Sequence, residues 1–250
     1  MLSSNRNTTG CHAINVPQRR LAIIPARSGS KRLPEKNIRL FCGLPMIGHI
    51  LSTAQRSGLF TTIHLSTDSE SFAEVATGLG FRPDFPRPAH LADDHTPLLP
   101  VLRYVTEQYQ QRGLLFDQVW LLMACAPLIE VSDLLAAAQL YEQLAGQRAI
   151  MSIGRYAMPI QRAYRRDQQG LLTPLYPESI PQRTQDLEPS YFDAGAFIAF
   201  PAARILTTDG VNDGSGFAGY LLPRYKAIDI DDEEDWQLAE SLYRLQHGQV

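Results

Sequence analysis

The stretch ARSGSKRLPEKN, residues 26–37, and the Arg39 that follows hold five cations, Arg27, Lys31, Arg32, Lys36 and Arg39, within thirteen residues of a chain whose formal net charge is -3. Gly29 between Ser28 and Ser30 leaves backbone N–H groups uncovered. Beside them Arg27, Lys31 and Lys36 add positive charge, and donors with cations are what a bound triphosphate requires. The spacing is neither the G-x-x-x-x-G-K-[ST] of a P-loop nor the G-x-G-x-x-G of a dinucleotide site. Charge patterning alone also allows a solvated basic surface.

The opposite charge lies near the other end of the chain, in AIDIDDEEDW, residues 227–236. On a strand, the period of two sets Asp229 and Asp231 on one face and Ile228 and Ile230 on the other. Two carboxylates at that spacing suit Mg²⁺, which takes one or two carboxylates together with waters and substrate phosphate oxygens. An acidic strand end leading into a helix N-terminus has the same composition.

The surrounding pattern indicates what positions these groups. Leu21–Ala26 reads as a buried strand, and Ile47, Ile50, Leu51 and Ala54 recur at helical spacing after the turn CGLP. Thr62–Ser66 reads as a second strand. Thr67, Asp68 or Ser69 supplies the cap of a helix carrying Phe72, Val75, Ala76 and Leu79, which Gly80 stops. A helix through Leu98, Leu102, Val105 and Tyr109 precedes the strand Gln118–Ala124. Ser132 is the expected cap of a helix running through Leu134, Leu135, Ala138 and Leu144, followed by a strand at Ala149. Continuous apolar strands alternating with amphipathic helices specify an α/β fold with a mainly parallel sheet covered on both faces. In such sheets ligands bind at the carboxyl ends of the strands.

From Arg155 to Tyr191 the rhythm breaks into a proline- and charge-rich excursion. GAFIAF and LPRYKAIDID then read as returning strands. Leu238, Leu242 and Leu245 mark a final helix, with Glu233 and Glu234 near its positive end. Residues 1–20 are polar and read as a disordered tail before a domain spanning 21–250.

With 250 residues, 44% of them hydrophobic, the chain can bury one sizeable core or two small ones. The slight acidity predicts no nucleic-acid or membrane partner, and no run reaches the ~20 apolar residues of a membrane span. Cys11, Cys42 and Cys125 are odd in number and far apart, which points to a reducing, cytoplasmic setting. The six histidines have no ligand spacing.

Taken together, ARSGSKRLPEKN, STD (66–68), RPAHLADDHTP (87–97), DAGAF (193–197) and DIDDEEDW (229–236) resemble the CMP-sialic acid synthetases, the cytidylyltransferases that activate nonulosonic acids. Through FCGLPMI, MPIQRA, QRTQDLE and LPRYKAIDIDDEEDW the chain is most similar to the pseudaminic acid cytidylyltransferase subgroup. The resemblance implies a Rossmann-like nucleotidyltransferase domain, with the excursion at about 155–191 serving a homodimer, and a Mg²⁺-dependent transfer of CMP from CTP to the C2 hydroxyl of a sugar acid. Sialic, legionaminic or 3-deoxy-manno-octulosonic acid is the alternative acceptor. A nonenzymatic nucleotide sensor is a further alternative, disfavoured by retention of both carboxylates.

By this resemblance Arg27, Lys31 and Lys36 hold the triphosphate within a nucleotide-binding loop that includes Ala26, Ser28, Gly29 and Ser30, Asn37 and Arg87 lie near the cytidine, and Asp229 and Asp231 carry the metal. Arg183 matches an arginine that reaches a neighbouring subunit's site. Where sialic acid synthetases commonly carry LLQPTSPL, this chain reads LLMACAPL, residues 121–128. Met123 and Ala124 therefore replace a glutamine-bearing subsite with a more apolar one.

Overall fold

The computed structural model describes residues 18–30, 32–207 and 216–248. Lys31 and most of the expected tail, residues 1–17, lie outside the described residues. The first strand, β1 (Arg20–Pro25), starts one residue inside that tail, where Arg20 pairs with Glu142 at 2.7 Å. After it come the short β2 (Leu40–Phe41) and β3 (Leu44–Pro45), α1 (Met46–Ser57), β4 (Thr62–Ser66), α2 (Glu70–Gly78), α3 (Leu98–Gln111) and β5 (Gln118–Leu122). The chain continues through α4 (Val131–Gln143), β6 (Ala149–Arg155), β7 (Tyr164–Arg166), β8 (Leu172–Pro174), β9 (Tyr191–Pro201), α5 (Ala202–Thr207), β10 (Phe217–Leu221) and α6 (Glu233–Gln246).

Six strands form one sheet in the order β10-β6-β9-β5-β1-β4. β1 is parallel to β4 and β5, and β6 to β10, while β9 runs antiparallel to both β5 and β6. The continuous apolar character of β1 follows from burial on both faces. Ala22 and Ile24 join Ile47, Leu51, Phe72, Trp120 and Phe197 on one side, and Leu21 and Ile23 join Val105, Tyr109 and Phe200 on the other. A third, smaller cluster of Leu33, Phe41, Met46, Ile230, Trp236 and Ala239 ties the basic loop to α6. Arg39 reinforces that tie, donating to both carboxylate oxygens of Glu233 at 2.7 and 2.9 Å and lying 4.4 Å over the Trp236 ring.

Three expectations are corrected. LPRYKAIDID is not a strand: the edge strand is β10, just before it, and residues 222–232 form a turn and an irregular extended segment. Pro223 has no N–H for a ladder, and the turn after it, with the Lys226 N–H on the Pro223 carbonyl at 2.9 Å, carries the chain off the sheet edge. The buried Lys226 ammonium fastens that turn to the start of α4, at 2.6 Å from both Glu130 and Asp133. Second, α4 begins at Val131, so Ser132 lies in its first turn; the Asp133 carboxylate accepts the Glu130 N–H at 2.9 Å and closes that end instead. Third, α6 buries Trp236 and Ala239, whereas Leu238 and Leu245 are exposed, because the helix packs on the Phe41 side of the basic loop rather than on the sheet.

Between Arg155 and Tyr191, which face each other across β6 and β9, the excursion consists of the β7–β8 hairpin and three 3₁₀ turns. It exposes Met158, Tyr164, Leu171 and Leu172.

Candidate active site

A cleft of about 510 Å³ opens at the carboxyl ends of β1 and β5, lined by both sequence motifs that carry opposite charge. From the basic loop come Arg27, Gly29, Ser30, Arg32, Lys36 and Asn37, and from the far end of the chain Asp229 and Asp231; Arg87, Asp94, Met123, Ala124, Cys125 and Gly195 complete the wall.

The loop is held by its own turns and by three neighbours. Ala26 is fully buried, its N–H on the Ser66 carbonyl at 2.9 Å, so it continues the strand rather than meeting solvent. Ser28 is turned toward Asp68, donating its N–H at 3.3 Å and its hydroxyl at 3.1 Å, which leaves Gly29 and Ser30 on the cleft. Leu33 inserts into the cluster with Ile230 and Trp236. Beyond it Glu35 adopts a left-handed conformation, φ 53°, and the Lys36 N–H bonds the Leu33 carbonyl at 3.1 Å. That turn aims Lys36 inward: its ammonium donates to the Ile230 carbonyl at 2.5 Å and stands 3.6 Å from Asp231. Asn37 donates to the Arg27 carbonyl at 3.2 Å and accepts from the Cys125 thiol at 3.1 Å.

Arg87 is buried, with Nε on the Ser66 hydroxyl at 3.1 Å and Nη2 on the Ser66 carbonyl at 2.6 Å. Burial pushes its pKa down to about 10 against the opposing pull of Asp68. It remains a cation at neutral pH, fixed at the carboxyl end of β4. Burial likewise pushes the Cys125 thiol up to about 11, with Lys36 opposing. Cys125 is therefore a neutral thiol that donates to Asn37, not a thiolate nucleophile.

Although Asp229 and Asp231 lie outside any strand, they keep the alternation expected of one, because Ile230 between them is fully buried. Asp231 is gripped from both sides: Arg32 pairs with it at 2.8 Å, and its N–H is held by Asp235 at 3.0 Å. The Asp229 carboxyl sits above its ordinary value, first through loss of solvent at the cleft wall and then through repulsion by Asp231. Gly195, at φ 61°, faces it: a Cβ there would stand 3.7 Å from the carboxylate carbon, so the glycine keeps room beside Asp229. Two hard oxygen ligands with mutual repulsion, open to a cleft lined by cations for phosphates, fit a divalent cation that keeps waters and shares the substrate's oxygens.

Of the residues singled out from sequence, Arg27, Gly29, Ser30, Lys36, Asn37, Arg87, Met123, Ala124, Asp229 and Asp231 line this one cleft. Ala26 and Ser28 support it from behind. Arg183 lies on the excursion away from the cleft of its own chain, exposed and paired with Asp186 at 2.7 Å. Sequence reasoning did not assign roles to Arg32, Asp68, Asp94 and Gly195. The acidic pair in LADDHTP and the Gly in DAGAF were visible, but their direction toward the loop was not.

Comparisons with known proteins show the family. The cytidylyltransferase family profile matches residues 21–158. The chain is 34% identical over 229 residues to the pseudaminic acid cytidylyltransferase of Campylobacter jejuni subsp. jejuni serotype O:2, covering 91% of this chain and 97% of that protein. It is 30% identical to the CMP-N,N'-diacetyllegionaminic acid synthase of Legionella pneumophila, covering 90% and 96% of the two. In fold it is similar to a CMP:2-keto-3-deoxy-manno-octonic acid synthetase solved in complex with CTP, with a TM-score of 0.64 at 15% identity, covering 93% of this chain and all of that one. This chain belongs to the cytidylyltransferase family.

Proposed function

We propose that this enzyme transfers CMP from CTP to the C2 hydroxyl of a nonulosonic acid, pseudaminic acid, with release of pyrophosphate. The observation that carries the reading is the meeting, in one cleft, of Arg27, Lys36 and Arg87 with the carboxylates of Asp229 and Asp231. The similarity along nearly the whole chain to a pseudaminic acid cytidylyltransferase supports the acceptor.

Transfer of a nucleotidyl group asks a protein mainly for in-line positioning and for compensation of charge on the phosphates. Arg27 and the Gly29 backbone bind the triphosphate at the end of β1; the Ser28 and Ser30 N–H groups are already bonded, to Asp68 and to the Ser28 carbonyl. Lys36, whose ammonium is held on the opposite wall by the Ile230 carbonyl, adds charge where the α-phosphate reacts. Arg87 and Asn37 hold the nucleoside end. The acceptor's C2 hydroxyl attacks the α-phosphorus, the bond to the pyrophosphate oxygen breaks, and the proton of that hydroxyl passes to a carboxylate of the acidic pair. Asp229 and Asp231 would hold a Mg²⁺ ion, which supplies charge compensation for the phosphate oxygens when bound. The test is to incubate the pure protein with CTP, Mg²⁺ and a panel of nonulosonic acids and to identify the CMP-sugar. Formation of CMP-pseudaminic acid and pyrophosphate is expected, and absence of any CMP-sugar rejects the reading.

Met123 and Ala124 give the sugar end an apolar wall, which suits a deoxygenated sugar and cannot offer the hydrogen bond of a glutamine. With Met123→Gln, the kcat/KM ratio for pseudaminic over N-acetylneuraminic acid should fall by about tenfold, the scale of one polar contact in a pocket. A ratio unchanged by the substitution makes Met123 core filling alone, since it also packs against both faces of the sheet.

The exposed apolar residues of the excursion, Met158, Tyr164, Leu171 and Leu172, support a homodimer formed through it. Sedimentation should give twice the chain mass of 27.9 kDa, and Leu172→Asp should shift it toward the single mass. A parent that sediments as one chain removes the dimer. Among the described residues no helix is long and apolar enough to cross a membrane, and Cys42 and Cys125 are free thiols, which fits a reducing cytoplasm.

A further inference from the structure

We propose that Asp94 is a specificity-determining residue of the cleft: its carboxylate occupies the Arg27 guanidinium while no nucleotide is bound, and it yields only to an anion that gains further contacts in the cleft. The proposal rests on the nucleotide reading of the same cleft.

Arg27 Nη1 donates to Asp94 Oδ1 and, at 3.4 Å, to the Asp93 carbonyl. The segment that presents Asp94 is braced by its own hydrogen bonds. Asp93 Oδ1 accepts the N–H groups of His95 and Thr96 at 2.8 and 2.7 Å, and the Thr96 hydroxyl donates to the His90 carbonyl at 3.3 Å. Asp94 thus stands at the apex of a side-chain-closed turn and points across the cleft, rather than hanging from a long flexible stem. The loop backbone comes close to the pair as well. A Cβ at Gly29 would lie 3.4 Å from Arg27 Nη1 and 3.8 Å from Asp94 Oδ1, so the carboxylate sits where the loop's phosphate-binding groups converge.

A tethered anion on a phosphate-binding arginine acts as a competitor that is always present. A phosphate-bearing ligand must take the guanidinium from it, which weakens every anion by the strength of the pair. A ligand that also gains contacts from Lys36, Arg32 and the Gly29 backbone offsets that loss, whereas a small anion reaching Arg27 alone does not. Asp94 would therefore keep inorganic phosphate and released pyrophosphate from occupying the site.

The test is calorimetric titration with pyrophosphate alone, on the parent, on Asp94→Asn and on Glu35→Gln, which removes one exposed carboxylate elsewhere on the same loop. Asp94→Asn should bind pyrophosphate about twofold to fivefold more tightly, the range of a partly exposed ion pair, and Glu35→Gln should not. Asp94→Ser, with the same charge change and a smaller side chain, should tighten it likewise, which guards against a folding defect in one variant. Unchanged or weaker binding in Asp94→Asn and Asp94→Ser overturns the proposal, because the carboxylate would then only orient Arg27. An equal gain in Glu35→Gln overturns it too, as an effect of net charge. CTP, UTP and ATP titrated alongside separate this from the underlying reading: a parent without preference for CTP rejects the cytidylyl assignment and leaves the Asp94 result standing.

Discussion

A Lys36→Met protein should turn over about two to three orders of magnitude more slowly than the parent while its melting temperature falls only slightly. Lys36 is a loop cation that the fold holds in place: the left-handed Glu35 turns it inward, the Leu33 carbonyl fixes its N–H, and its ammonium rests on the Ile230 carbonyl at 2.5 Å. Such a group is organised before substrate arrives, and a positioned charge of this kind is the largest single contribution that protein groups commonly make to transfer reactions. Methionine keeps the aliphatic stem that fills the space beside Cys125, so the loss falls on charge rather than packing. The lost contact to Ile230 should cost the fold about 1 kcal/mol. Steady-state kinetics at saturating CTP, with a thermal melt of each protein, gives the answer. A kcat within about threefold of the parent would remove Lys36 from the chemistry, and the cation at the α-phosphate would then be another of the basic loop.

The second large effect is expected at Asp231. Asp231→Asn preserves the shape of the side chain and the N–H that Asp235 holds, but it removes half of the paired charge and leaves Arg32 without its partner at 2.8 Å. Activity at a fixed, moderate Mg²⁺ concentration should fall by about a hundredfold or more, the scale of a lost charged ligand to a catalytic metal. The Mg²⁺ concentration for half-maximal rate should rise. Asp231 also partners Arg32 and Lys36, so the metal dependence is the informative readout. A rate that recovers as Mg²⁺ is raised assigns Asp231 to the ion, whereas a uniform loss at every Mg²⁺ concentration assigns it to holding the two cations in place. A variant that matches the parent in both respects would make the acidic segment a solvated surface.

Much of the molecule was legible in its sequence because the signals are local. β4 begins and ends at the expected residues, and β1 is recognisable, because a doubly covered strand must be apolar on both faces over its whole length. Ser69 caps α2, one of three candidates that a helix start requires. Within the basic loop and the acidic segment, residue type and order already carried the chemistry proposed for them, phosphate binding in one and a hard cation in the other, since charge and ligand hardness belong to the side chains themselves. What only the tertiary structure decided is relative placement. The strand expected over LPRYKAIDID gave way to an irregular segment because Pro223 and the buried Lys226 pairs pull the chain off the sheet edge toward the first loop, and nothing in a period-two pattern registers those partners nearly a hundred residues away. The alternation of Asp229, Ile230 and Asp231 survived without the strand, because burying Ile230 beside Leu33 and Trp236 forces its neighbours outward whatever the hydrogen bonding. The exposed Leu238 and Leu245 misled for the same reason: a helix buries the face its neighbour offers, and here that neighbour is the loop carrying Phe41. The ion pairs of Arg27 with Asp94 and of Arg32 with Asp231 join residues about seventy and two hundred positions apart, and no spacing rule reaches that far. Their partners are chosen by where the sheet brings its strand ends, so the sequence specified which charges exist and the fold specified which of them meet.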